Sequence, residues 1–286
     1  MQQTPDQAQV DIDTLREWIG RETRAEDVLT PRIAAGYAAL LDHEAAPETG
    51  AVAPNGIHWC LAPITKPMRA LGPDGHPARG LFLPPVPLPS RMWAGGALEF
   101  HAPLHVGDTA GIVSRIDDVT LKAGRSGPLV FVTVRHEVCG PQGPALTERQ
   151  DIVYRAHGPL PAPAAPDSPD SPAPAPARIV EAGPVLLFRY SALTFNGHRI
   201  HYDRDYAQKT EGYAGLVVHG PLQATLMLDL AAELAGGRRL RRFAFRGVSP
   251  LTEGPVHMHA APDAAKLWVS DRTGRTTMTA DLDWDA

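Results

Sequence analysis

The sequence predicts an α+β protein of two related units, each an antiparallel sheet wrapped around a helix. A proline-rich stretch divides the chain, the pattern Pro-Leu-x-x-Gly recurs on either side of it, and an apolar helix precedes a strand series in the second part. The first unit opens with two helical segments, "DIDTLREWIG" (11–20) and "PRIAAGYAALLDHE" (31–44). The less regular "PNGIHWCLAPIT" (54–65) falls where the wrapped helix of that unit belongs, so this copy reads as degenerate. "LEFHAPLHVGDTAGIV" then places Phe100 in an alternating strand, followed by Pro103-Leu104-x-x-Gly107 and a second strand. Further strands are predicted at "TAGIVSRIDDV", "PLVFVTVRHEV" and "TERQDIVYRA".

The stretch "PLPAPAAPDSPDSPAPAPAR" (159–178) forbids helix interiors and sheet ladders and favours extended polyproline conformation, which makes it a linker. It divides a unit at 1–158 from one at 179–286. In the second unit, Gly220 fits the cap and Pro221 the first position of a helix that Gly236-Gly237 ends. Leu222, Leu226, Met227, Leu228, Leu230 and Leu234 surround that helix with apolar side chains, which predicts its burial. "FAFRGVSPLTEGPVHM" repeats the earlier order as strand, Pro250-Leu251-x-x-Gly254 and strand. "AKLWVSD" and "TTMTADLDW" continue the meander around the turn "DRTGR". The shared order of elements points to duplication, with the two sheets joined edge to edge.

Composition sets aside several functional classes. With 43% hydrophobic and 21% charged residues the chain reads as ordinary globular protein, and no apolar run is long enough to span a bilayer. The opening "MQQTPDQAQV" lacks the basic start and apolar core of a secretory signal, so a cytoplasmic location is expected. Cys60 and Cys139 have neither disulfide-framework nor CxxC spacing. A net charge of -5 gives no overall field for nucleic acid.

"TFNGHRIHYDRDYA" (194–207) gathers an amide, two histidines and two aspartates. His198 and His201 stand three apart but supply at most half of a tetrahedral metal site, so no metal is expected. Asp203 reads as the cap of a short helix containing Ala207. Arg199 suits either a carboxylate on a ligand or a local ion pair with an aspartate. At the predicted helix start, Gly220 brings a free backbone N–H to a position that favours an anion.

These residues, with "LVVHGPL", "RRFAFRGVSPL" and "LPPVPLPSRMWAGGALEFHAPLHVGD", resemble the MaoC-like hydratases and dehydratases of hot dog fold. The resemblance is narrower to the double hot dog branch containing mesaconyl-CoA and itaconyl-CoA hydratases and hydroxyacyl-thioester dehydratases. It implies reversible hydration of an enoyl-CoA, of a short branched or dicarboxylic kind, with coenzyme A as part of the substrate and no further cofactor. His201 falls on the family's catalytic histidine. The family's aspartate, five residues earlier, is here Asn196, and its usual asparagine is His198. Asn196 lacks a titrating carboxylate, so its expected part is to orient water beside His201. Gly220 is expected to receive the thioester oxygen, with His198 and Arg199 contacting substrate. Arg241 and Arg246, from the group including Arg238, Arg239 and Arg242, are expected to meet the phosphates of coenzyme A. A homodimer is the expected assembly. A hot dog thioesterase and a non-catalytic acyl-CoA-binding module are the alternatives.

Overall fold

The computed structural model describes residues 10–124, 127–156 and 175–285. The first part contains helix α1 (Ile12–Arg16), strand β1 (Glu22–Val28), helix α2 (Pro31–Leu40), and strands β2 (Ser90–Phe100), β3 (Thr109–Gly124), β4 (Gly127–Gly140) and β5 (Gly143–Arg155). After the proline-rich stretch come β6 (Arg178–Ala182), helices α3 (Pro184–Thr194), α4 (Arg204–Lys209) and α5 (Gly220–Leu234), and strands β7 (Leu240–Gly247), β8 (Gly254–Ala260), β9 (Lys266–Ser270) and β10 (Thr276–Trp284). Most of the linker lies outside the described residues, and Arg178, expected to close it, is instead the first residue of β6.

All ten strands form one sheet in the order β1-β3-β4-β5-β2-β7-β10-β9-β8-β6. Read outward from the β2–β7 seam, the two sides have the same strand order, which is the double hot dog expected from the repeat. Ala97 stands six residues before Pro103 and Ala244 six before Pro250, and these alanines face each other across the seam. The repeat is therefore related by a two-fold through the middle of the sheet. Glycine is required there by close approach: a Cβ on Gly95 would lie 2.5 Å from Phe245 O, and one on Gly96 2.3 Å from Arg149 O.

Helix α5 packs against β2, β7, β9 and β10 of the sheet. Leu222, Leu226, Met227, Leu228 and Leu230 are each at most 2% exposed and join one cluster with Leu98, Phe243, Met258 and Leu267 from both halves. Burying each such side chain stabilises the fold by about 1.5–3 kcal/mol. His219 is the cap, its backbone still extended (φ -56°, ψ 135°), so the helix begins at Gly220, one residue earlier than the sequence suggested. Its far end is as expected, with Gly236 and Gly237 both at positive φ.

In the first half, the counterpart of α5 is a single 3₁₀ turn, Ile57–Cys60. The predicted helix at 11–20 holds regular α-helix only over Ile12–Arg16. Three elements had no legible signal. β1 is exposed along almost its whole length and lacks alternation, β6 is only five residues long, and α3 has apolar side chains on exposed as well as buried faces, including Val185 and Phe188.

Candidate active site

The loop between α3 and α4 is built by its own polar atoms. α3 ends at Phe195, which adopts left-handed backbone (φ 52°), and Asn196 Oδ1 then accepts from the His198 N–H at 3.0 Å. Arg199–His201 make one 3₁₀ turn, after which Asp203 caps α4 by accepting from Tyr206 N at 3.0 Å, as its sequence position predicted. Arg199 is held locally. Its guanidinium donates to Asp203 at 2.7 and 3.1 Å and to Pro73 O at 3.1 Å, and it lies 4.2 Å over the Tyr206 ring.

His201 is buried, and its Nδ1 lies 2.7 Å from Val217 O. A carbonyl only accepts, so Nδ1 carries the hydrogen and Nε2 the lone pair. The ring stacks on His219 at 3.5 Å and meets His198 edge-on at 5.4 Å. Burial, followed by the charges of His219 and His198, holds the His201 pKa well below its ordinary value, so the imidazole is neutral at pH 7. His219 shares this fate: burial and His198 lower its pKa to about 3, while its Nε2 pairs with Ser191 Oγ at 2.8 Å. The next residue is Gly220, the first of α5, whose N–H makes no backbone hydrogen bond among the described residues. A Cβ on Gly220 would meet Trp93 O and Cβ only at 3.7 and 3.8 Å, ordinary contact distances. Packing does not explain glycine here; room for a ligand atom beside the amide does.

The first half roofs this loop with residues the sequence did not single out. Gly75 (φ +88°) lies so close to this loop that a Cβ there would be 2.0 Å from Gly197 O, and Arg199 N donates to Asp74 O at 2.9 Å. His76 stacks on His198 at 4.1 Å and pairs through Nδ1 with Asp74 Oδ2 at 3.1 Å. Burial lowers the His76 pKa to about 3 despite that hydrogen bond, with Arg91 and His198 adding to the effect. His198 Nε2 in turn faces the buried Glu211 carboxylate at 3.4 Å. Asp74, His76 and His198 bring potential metal-ligand atoms within 4.8 Å of one another, yet each already takes part in these hydrogen-bonded pairs. Glu211 and His76 come from irregular segments without periodicity. The available signal for His219 was its place beside the glycine that opens α5.

His201, Gly220, Asn196, His198, Arg199 and Arg246 all line one cleft of about 2400 Å³. Arg246 is exposed at its edge. Arg241 is exposed on β7 but does not line the cleft. Arg238 and Arg239 are bound to the carbonyls of Leu234, Ala235, Phe100 and His101, and Arg242 pairs with Asp283. Exposed apolar side chains rim the opening, including Ile64, Met68, Leu81, Phe188, Phe195 and Val248. On the cleft wall, Trp59 and Trp93 pack edge to face with each other and with the buried Phe245 at 5.4–6.3 Å. Behind them Glu148 accepts from Trp59 Nε1 at 3.0 Å and pairs with His58 Nε2 at 3.2 Å.

The chain is similar to several known proteins. The family described as hydroxyacyl-thioester dehydratase type 2 matches residues 56–253. The mesaconyl-C(4)-CoA hydratase of Chloroflexus aurantiacus is 43% identical over 271 residues, covering 93% of this chain and 96% of that protein. The mitochondrial hydroxyacyl-thioester dehydratase type 2 of Schizosaccharomyces pombe is 28% identical, covering 80% and 82%. Among solved structures, a MaoC-like dehydratase from Phytophthora capsici superposes with a TM-score of 0.64 at 16% identity, covering 97% of this chain and all of that one. HtdX of Mycobacterium tuberculosis gives 0.63 at 18% identity, covering 92% and 99%.

Proposed function

The chain belongs to the hydroxyacyl-thioester dehydratase type 2 family, and from that premise we propose that it is a hydro-lyase adding water reversibly to an enoyl-CoA. The observation that carries this reading is the His201 tautomer: Val217 O holds the hydrogen on Nδ1, leaving the Nε2 lone pair in a cleft that also contains the start of α5.

In the proposed reaction, His201 Nε2 takes a proton from water as the water oxygen bonds to the β-carbon. Electron density moves through the α-carbon to the thioester oxygen, which the Gly220 N–H and the positive end of α5 stabilise. His201 then returns the proton to the α-carbon, so its protonation state is restored. Asn196 is the second proposed catalytic residue; its side-chain amide orients the water while its Oδ1 shapes the loop. His198 and Arg199 position the loop around the substrate. Arg246, at the mouth, meets a phosphate of coenzyme A, and the apolar rim packs against the carrier. We assign no such contact to Arg241, which stands outside the cleft. The reaction needs no resident cofactor, since coenzyme A belongs to the substrate.

The name of the Chloroflexus relative supports a short branched or dicarboxylic acyl group such as a mesaconyl unit. Catalysis is assigned to the second unit, which opens with β6 at Arg178 and follows the proline-rich stretch after a first unit (1–158) that contributes the roof over the loop and, through Trp59 and Trp93, part of the cleft wall. Among the described residues no helix is long and apolar enough to cross a membrane. We propose a homodimer, testable by light scattering, and a cytoplasmic location, testable by cell fractionation. The engagement of Asn196 Oδ1 with the loop favours one competing reading, a non-catalytic acyl-CoA-binding module. Turnover of an enoyl-CoA panel separates them: the hydratase removes the enoyl absorbance without releasing thiol, a thioesterase releases thiol, and a binding module does neither.

A further inference from the structure

Arg91 is a half-buried cation on the cleft wall that makes no ion pair among the described residues. Other cleft cations are engaged or peripheral. Arg199 is paired with Asp203, Arg79 donates to the carbonyls of Val86, Leu88 and Pro89, Arg155 donates to Ala156 O, and Arg246 and Lys66 are exposed. Keeping a guanidinium partly out of water with no carboxylate bonded to it is unfavourable, so a binding site for an anion explains its retention.

Its placement identifies the part of the ligand that reaches it. Regular pairing of β2 with β5 over Arg91–Trp93 puts Arg91 and Trp93 on the same sheet face. Trp93 is the residue against which Gly220 stands. A group extending from a thioester held at Gly220 therefore has Arg91 within one strand repeat of its Trp93 wall. Tyr154 is directly opposite Arg91 on β5, and its buried hydroxyl interacts with the Arg91 side chain. Asp74 is close enough for Arg91 to act on it electrostatically, but its oxygens bond to His76 N and Nδ1, both at 3.1 Å. A guanidinium with a neutral phenol beside it matches a carboxylate.

Resting on the hydratase reading above, we infer that Arg91 binds a free carboxylate on the acyl group, making dicarboxylic enoyl-CoA thioesters the substrate class. A carboxylate at the β-carbon is close to the reacting centre, so Arg91 acts as a specificity-determining contact and takes no part in proton transfer.

The test compares mesaconyl-C4-CoA with 3-methylcrotonyl-CoA, in which a methyl replaces the carboxylate, and includes crotonyl-CoA as a baseline. The unmodified enzyme is expected to prefer mesaconyl-C4-CoA. Arg91→Met should lower kcat/KM for mesaconyl-C4-CoA by about a hundredfold or more and for 3-methylcrotonyl-CoA by less than roughly threefold. Arg91→Lys, which keeps charge but loses the forked geometry, should fall between; it also provides the reading if the methionine variant fails to fold. Equal losses on both thioesters, no loss on either, or an unmodified enzyme preferring 3-methylcrotonyl-CoA would overturn the Arg91 assignment while leaving the hydratase reading intact. An unmodified protein that hydrates none of the three would instead overturn that reading, and the Arg91 assignment with it.

Discussion

The two halves begin alike and diverge at one point. In the first, Ala53 N donates to Leu104 O; in the second, Val218 N donates to Leu251 O, both at 2.8 Å and both to the leucine of Pro-Leu-x-x-Gly. Five residues further on come His58 and Gln223. From there the second half continues as the fifteen-residue α5, whereas the first makes a four-residue 3₁₀ turn. Its next residues form the irregular segment before β2 that contacts Gly197 and Arg199. Loss of the helix in one half thus provides a roof for the site of the other. Polar partners diverge too: Gln223 accepts from Thr277 Oγ1 at 2.8 Å, while His58 and Trp59 enclose Glu148. Burial favours a protonated Glu148, but the His58 hydrogen bond and charge, with Trp59, hold its pKa below the ordinary value.

The proposed reaction puts proton transfer in the second half, and His201→Ala tests it most severely. The expected loss in hydration is about 10²–10⁴-fold, with the melting temperature little changed, measured by enoyl absorbance and circular dichroism. The corresponding challenge is His58→Ala in the first half. If it abolishes turnover as thoroughly while the protein stays folded, the two halves share the chemistry.

Next in size is Gly220→Pro. Proline suits the first helical position but has no N–H, so the helix persists while the proposed donor disappears. A fall in kcat of about 10²–10³-fold is expected, and unchanged kcat would remove Gly220 from the mechanism. Asn196→Ala should slow the reaction less than His201→Ala. Asn196→Asp restores the wider family's carboxylate and should shift the pH profile; a profile and rate equal to the unmodified enzyme's would leave Asn196 with the loop alone.

The smallest effect concerns acid. His201, His219 and His76 have folded pKa values below the ordinary 6.5, the latter two at about 3. Between these limits the unfolded chain binds protons that the folded chain does not. The stability they contribute is therefore full above pH 6.5 and lost as pH falls toward 3. Denaturant midpoints measured from pH 7 to 4 should decline, and the decline should shrink in His219→Gln. The depressed His201 value also places the acid limb of kcat/KM below pH 6.5. A limb above that value would mean that another group controls the proton.

The meander was legible because its strands alternate, and β10 begins and ends where "TTMTADLDW" does. α5 was legible from apolar residues on nearly every side, and the loop from the spacing of Asn196, His198 and His201. Recognition of His201 required family likeness, since sequence spacing does not reveal that its Nδ1 meets Val217 O. Asp74, His76 and Arg91 had no local pattern tying them to a loop more than a hundred residues away; their approach is a tertiary event. Arg199 shows the converse: both of its readings were available, and the turn geometry placed Asp203 within reach of its guanidinium.

The β2–β7 seam also has a consequence for biosynthesis. As the chain is made, β2 is complete well before β7, and until residue 247 emerges its outer backbone groups have no strand to join. An isolated first half would keep that edge permanently, with Gly95 and Gly96 offering a backbone unobstructed by side chains to any passing strand. Fusion of the two units keeps the correct partner on the same chain, at a local concentration that another molecule would have to outcompete. Cutting the chain in the linker region before synthesis, so that the halves are produced separately, should therefore give a first half prone to aggregation that its second half rescues when both are made together.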